Sequence, residues 1–507
     1  MPPKTISFLF VFFLPSIVFG NTFEEVPVKN IPYPKNLAPA PTIPYPKGAI
    51  ETTFESHGNH WALAPSINQK NHIDILVLNA KNPTKWELDT LSGLSTGLWR
   101  WIKADYHGYV WVSDGSQALR INVRKPHGGT RLLSADSAFP PGKITAMGLG
   151  PNGTMLFALH TGKLVEAHQA YDKKARMHKN KISVTDCPKN VSFIYTDTNG
   201  TLWLKAKNRG FKKAAPEDAW QHTWEETYHF QGGSHDLSGD VYNGKFYMSW
   251  AITGDFGYPS TGNFHRHILE FDPGKGWNIF ADYGYPRGYG GTSFLDGKIW
   301  ASGGDSISND NKRFSTTETL IFNPITKEKT KGPDLPAPIA SAISFNVNDR
   351  IYTTGYTVND KNLKMYSIGI GDSKWTEEIN GPKGGGSVYG TKIGNVLYIL
   401  LAHNGLAMYN TVTKEWSKTI APNNPRAAQV GNFKGEVWVM GGRNKESEDA
   451  TYIYNPKKDE WRKGPRIPRT LIWGCAFNID GDMYLTGGFS YHNPFSHRTF
   501  KLRNKNY

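Results

Sequence analysis

At a nearly constant interval, a short polar turn is followed by a strand rich in apolar, aromatic and β-branched residues. The turn positions are Gly58, Gly108, Gly153, Gly200, Gly244, Gly297, Asp349, Gly394, Gly435 and Gly481, spaced 50, 45, 47, 44, 53, 52, 45, 41 and 46 residues apart. Behind the turns come runs such as Trp61-Ala62-Leu63, Val110-Trp111-Val112, Leu202-Trp203-Leu204 and Val437-Trp438-Val439. Strands with apolar residues on both faces belong between neighbouring sheets. Turns such as Asn243-Gly244, Asp296-Gly297 and Asp480-Gly481 predict hairpins. No long segment shows helical spacing flanked by caps, so the chain reads as all-β. The period is that of four-stranded propeller blades, and the pattern predicts ten such units. A usual ring holds about four to eight blades, so the expectation is two rings, or one ring with accessory sheets.

From about residue 230 the units resemble kelch repeats, the blades of galactose-oxidase-like propellers. The resemblance rests on the double glycines Gly303-Gly304, Gly441-Gly442 and Gly487-Gly488, and on Phe271-Asp272-Pro273, Phe322-Asn323-Pro324 and Tyr454-Asn455-Pro456. The closing tryptophans Trp277, Trp375, Trp416 and Trp461 complete it. The expected division is four degenerate units in 51–215 and six kelch-like units in 216–507. The last unit lacks a closing tryptophan, and Trp220 or Trp224, just before the first kelch unit, is the natural donor. The resemblance also brings in copper-radical oxidases, which need two histidines, two tyrosines and a cysteine cross-linked to one tyrosine. Tyr228-His229, Tyr491-His492 and Cys475 are the suggestive pieces, but neither cysteine has the cross-link context. No catalytic residue and no cofactor is assigned on this basis.

Composition adds location and charge. Residues 1–20 read as a secretory signal peptide, with Lys4 ahead of an apolar run and Gly20 at the cleavage position. The run is too short for a membrane span and Pro15 interrupts it. Residues 21–50 are proline-rich, with Ile31-Pro32-Tyr33-Pro34-Lys35 repeated as Ile43-Pro44-Tyr45-Pro46-Lys47, and predict an extended tether or an arm on the domain. Asn152, Asn190 and Asn199 head N-glycan acceptor triplets. Cys187 and Cys475 are the only cysteines; in an oxidising compartment they pair or stay as two separate thiols.

The net charge is +14, from 58 Lys plus Arg against 44 Asp plus Glu. Outside a cell this favours acidic glycans or acidic proteins, and export argues against nucleic acid. The densest basic run holds Lys173, Lys174, Arg176, Lys179 and Lys181, nominated as a binding patch, with Lys205, Lys207, Arg209, Lys212 and Lys213 beyond it. His265 and His267 share a strand face, as a metal site needs, but no third ligand stands at fixed spacing, and no metal is assigned. The resulting expectation is a secreted, non-catalytic binding or matrix propeller that recognises an extracellular protein or acidic polysaccharide. An extracellular propeller enzyme, copper-radical oxidase or carbohydrate-acting, is the alternative.

Overall fold

The computed structural model describes residues 23–503 except 33–37, 39–40, 42, 56–58, 80–83, 90–93, 95, 107, 123–130, 133–135, 173–176, 218, 231–236, 250–264, 309–311, 358–359, 385–387, 402–404, 443–448, 469–471 and 489–495. The strand–turn–strand repetition folds into ten antiparallel sheets of four or five strands, with one further three-stranded sheet. The fold is an all-β propeller assembly.

The last six large sheets form a closed ring. Their innermost strands are Ser238–Tyr242, Gly291–Leu295, Ala340–Val347, Tyr389–Ile393, Gln429–Phe433 and Cys475–Ile479. An apolar cluster fills each of the six gaps between neighbouring sheets. At the seam, Phe246 of the first ring sheet stacks on Phe477 of the sixth, with ring centroids 3.8 Å apart and planes 3° from parallel.

The sixth sheet takes its outer strand from ahead of the ring: Trp224–His229 pairs antiparallel with Arg498–Leu502. Trp224 thereby fills the place of the missing closing tryptophan. The closing indoles behave alike, each donating its N–H to the preceding sheet or to the segment leaving it. Trp277 donates to Thr499 Oγ1 at 2.8 Å, Trp375 to the Pro333 carbonyl at 2.9 Å and Trp416 to the Ile379 carbonyl at 3.1 Å. Trp461 donates to Thr419 Oγ1 at 3.1 Å and Trp224 to the Arg466 carbonyl at 3.1 Å. The donors of buried Trp224, Trp277 and Trp375 and of half-buried Trp416 and Trp461 are thus satisfied while their rings fill the gaps.

The first four sheets form an array around the innermost strands Glu51–Phe54, Trp101–Ala104, Ile144–Leu149 and Val191–Thr196. Apolar clusters join the first sheet to the second, the second to the third and the third to the fourth. Among the described residues no strand pairing or apolar cluster joins the fourth back to the first. Gly148 lets the third and fourth sheets approach, since a Cβ there would stand 2.7 Å from Ile194. Part of the proline-rich segment is a strand in its own right. Glu24–Pro27 forms the outer edge of the fourth sheet against Arg209–Lys213, with Pro27 at the strand end, where a missing N–H is tolerated.

The array rests on the outer edge of the sixth ring sheet. Tyr106 donates its hydroxyl to Glu226 at 2.6 Å, the Arg498 guanidinium lies over the Tyr106 ring, and Phe54 meets His497 edge-on at 5.1 Å. Arg503 donates to the Thr198 carbonyl at 2.9 Å and Gln221 to the Pro151 carbonyl at 2.7 Å. One closed ring and an accessory array is therefore the arrangement of the ten units.

Candidate functional site

The loops that lead into the innermost ring strands surround one mouth of the central channel. Just where the strands begin, Tyr289, Ser341, Ala427 and Trp473 all take a left-handed backbone, with φ between 49° and 61°. Such residues cost of order 1 kcal/mol or more and persist only when surroundings hold them. Here the next sheet does so: the Ala342 N–H donates to the Tyr289 carbonyl at 2.8 Å and the Trp473 N–H to the Ala427 carbonyl at 2.9 Å. The matching stretches of the first and fourth ring sheets, 231–236 and 385–387, lie outside the described residues.

Shortly before this point a proline precedes a base in several sheets: Pro286-Arg287, Pro382-Lys383 and Pro425-Arg426. Arg287 is 1% exposed and is committed to its own loop. It donates to the carbonyls of Gly303 at 2.9 and 2.7 Å, Glu318 at 2.6 Å and Ala301 at 3.3 Å. Its guanidinium also lies 3.5 Å from the Glu318 carboxylate, which accepts the Tyr285 hydroxyl. Burial, set against nearby Arg287, pushes that phenol up to about 12, so it remains a donor. Lys383 and Arg426 are instead exposed, and Arg426 has no acidic partner among the described residues.

Further along the innermost strands, four residues past Tyr289 and five past Ser341, roughly 13–17 Å deeper at the usual strand rise, polar groups close on the axis. One oxygen of Asp240 accepts from Ser293 Oγ at 2.8 Å, the Asn346 amide at 3.3 Å and Lys392 Nζ at 3.4 Å. Lys392 also donates to the Asn346 carbonyl at 2.7 Å. Four ring sheets are cross-linked here.

The described part of the basic patch nominated from sequence lies on a long hairpin. Lys163–Asp172 and Met177–Asp186 pair in register out to Asp172 and Met177, which puts Lys179 and Lys181 on the second strand of a two-stranded arm. Lys173, Lys174 and Arg176 lie outside the described residues; Lys179 is in the second strand, and Lys181 on the same strand is exposed. The second basic group is partly neutralised, because Arg209 pairs with Glu25 and Lys212 with Glu24 at 3.2 Å, both on the added N-terminal strand.

Asn152, Asn190 and Asn199 are all exposed in turns. The Thr154 hydroxyl of the first triplet is buried and donates to Glu166 at 2.6 Å. Cys187 and Cys475 are free thiols in different apolar clusters, the first in the array and the second at the ring seam. Of the two alternatives, separate thiols is the one the structure contains. Burial raises the Cys187 thiol to about 11 and the Cys475 thiol to about 12. Both are expected to react slowly with iodoacetamide near pH 8 until the protein is unfolded, and rapid labelling of native protein would contradict this placement.

The histidine candidates separate. His229 bonds Glu226 through Nε2 at 2.7 Å, whereas Tyr228 packs on Phe271; Tyr491 and His492 lie outside the described residues. His267 lies 3.9 Å from Asp282, and among the described residues no group of three or more His, Cys, Asp and Glu is placed to hold a metal.

Sequence comparisons agree with the ring. A Kelch motif profile matches residues 426–468. Kelch-like protein 23 of Mus musculus is 28% identical over 129 residues, covering 23% of this chain and 22% of that protein. N-acetylneuraminate epimerase 1 of Escherichia coli O6:H1 is 24% identical over 266 residues, covering 49% of this chain and 66% of that protein. Among solved structures, that of YjhT aligns with a TM-score of 0.45 and 13% identity over 54% of this chain and 99% of its own. The chain thus spans about a fifth of the length of the kelch-like relatives it matches and just under two thirds of the epimerase. Together with the double glycines, the closing tryptophans and the closed ring of four-stranded sheets, the Kelch motif match and the kelch-like relatives support a kelch-repeat β-propeller.

Proposed function

We propose that the protein is an exported binding protein whose ring mouth and basic hairpin together recognise an acidic partner, either an acidic polysaccharide or an acidic protein segment. The observation that carries this reading is the pair of exposed bases, Lys383 and Arg426, at a mouth whose third base, Arg287, is fully used in holding the loop. A chain of net charge +14 draws polyanions to that surface over a range set by salt. Retention on immobilised heparin is the test. The double variant Lys383→Glu, Arg426→Glu and the triple variant Lys173→Glu, Lys174→Glu, Arg176→Glu are each expected to elute at lower salt than the native protein. Unchanged elution of both would overturn the reading.

A carbohydrate-acting enzyme is the second reading, favoured by the length of the match to the epimerase and by the Asp240–Lys392 pair beneath the mouth. Incubation with N-acetylneuraminate, followed by NMR, separates the two. Interconversion of its forms faster than in buffer, and its loss in Asp240→Asn, would favour catalysis over simple binding.

A further inference from the structure

The array has a cavity of its own, away from the ring mouth. It measures about 320 Å³, and Thr53, Lys103, Gly148 and Tyr195 bring one innermost strand from each of the four sheets to its wall. Glu226 and Arg498 of the sixth ring sheet close the remaining side. This volume sits at the small end of the ~300–1,000 Å³ typical of ligand pockets.

The charges bordering the cavity are matched by the protein itself. One oxygen of Glu226 takes Arg498 and His229, and the other takes the Tyr106 hydroxyl. Lys103 lies 2.6 Å from Glu51. Asp197 accepts the Trp203 indole N–H at 2.8 Å and the amides of Asn199 and Thr201 at 2.8 and 3.0 Å. An anionic ligand would meet no unmatched cation here, and a cationic ligand no unmatched carboxylate. What remains on offer is neutral. Phe193 and Tyr195 present half-exposed rings with centroids 6.3 Å apart, and the Tyr195 hydroxyl has no hydrogen-bond partner among the described residues. Burial keeps that phenol protonated.

We propose that this cavity binds a neutral, hexose-sized sugar, with the Phe193 and Tyr195 rings against an apolar sugar face and the Tyr195 hydroxyl bonding the polar rim. A pyranose has both an apolar face and a rim of uncharged hydroxyls, which is the combination the wall presents. The site is independent of the acidic-partner surface at the ring mouth.

The test uses the full chain with Asn152→Gln, Asn190→Gln and Asn199→Gln, so that added sugar is the only sugar present. Saturation-transfer NMR is run with D-glucose, D-galactose, D-mannose and N-acetyl-D-glucosamine in turn. Transfer to at least one is expected, with affinity falling about fivefold in Tyr195→Phe, the loss of one neutral hydrogen bond. Phe193→Ala should weaken it as well, and Arg426→Glu should leave it unchanged. Transfer to none of the four, transfer insensitive to both Tyr195→Phe and Phe193→Ala, or transfer lost in Arg426→Glu would each overturn the proposal. The heparin experiment can fail without affecting any of these outcomes.

Discussion

Replacing Glu226 with alanine is expected to destabilise the protein by about 3 to 5 kcal/mol, the loss usual when one member of a buried ion pair is removed. Its carboxylate is where the array and the ring meet, accepting from Tyr106, His229 and Arg498 at once. Arg498 is 5% exposed, so the substitution leaves a largely buried guanidinium without its carboxylate. Urea unfolding monitored by tryptophan fluorescence should show an early transition as the array releases. Adding Arg498→Met to Glu226→Ala should recover much of the loss, because the stranded charge goes with it. A Glu226→Ala protein within about 1 kcal/mol of the native one would rule out this role for the pair.

The same seam gives the pH dependence. Burial works against ionisation of Glu226, but Arg498, His229 and Tyr106 outweigh it and hold the carboxyl far below its ordinary range. Its stabilising contribution is therefore complete above the ordinary carboxylate pKa and is lost only as pH falls toward the depressed folded value. The histidines act earlier. Burial lowers His229, and it lowers His60 to about 4 although Glu55 pulls the other way. Each is neutral in the fold and takes a proton more readily when unfolded. Stability should thus decline as pH drops below about 6.5, with His60 still contributing to the decline until about pH 4.

Trp224→Ala is expected to cost a further class of stability, about 3 to 5 kcal/mol, through the ring itself. The indole is fully buried among Trp438, Phe433 and Phe500, and its loss leaves a cavity while the Arg466 carbonyl loses its donor. Calorimetry should place the loss in the ring transition, and Trp224→Phe should retain more stability than Trp224→Ala. Equal and small effects of both would mean that the outer strand is not what closes the ring.

The blades were readable because their signals are local. Short strands apolar on both faces, Asp-Gly and Asn-Gly turns, and double glycines at positive φ, such as Gly303 and Gly304 at 65° and 94°, each act within a few residues. The closing role of Trp224 could be read as an absence, since the last unit had no tryptophan of its own. The partition of the ten units could not, because it depends on which sheet faces pack on which across more than a hundred residues. The strand Glu24–Pro27 was hidden for a related reason. Prolines dominate its surroundings, and its acceptability follows from an edge position that only the fourth sheet's register defines.

The site was less readable than the fold. A run of bases is visible in sequence, but its neutralisation is not: Glu24 and Glu25 lie far along the chain from Lys212 and Arg209. The bases at the mouth carried a usable signal, a proline–base pair three to six residues before the innermost strand in several units. What distinguishes buried Arg287 from exposed Arg426 is the arrangement of carbonyls around it, and a residue type does not report that.

The strand that closes the ring emerges from the ribosome long before its partner. Thr227 and Thr499 are 272 residues apart, and at about 5–20 residues per second the first waits roughly 15 to 55 seconds for the second. For that time Trp224 and an unpaired strand edge are exposed on a nascent chain whose array sheets can already have formed. A ribosome stalled anywhere in the sixth unit would hold an open ring. The interval before residue 502 is therefore the period in which the ring's apolar edge is open to wrong pairing.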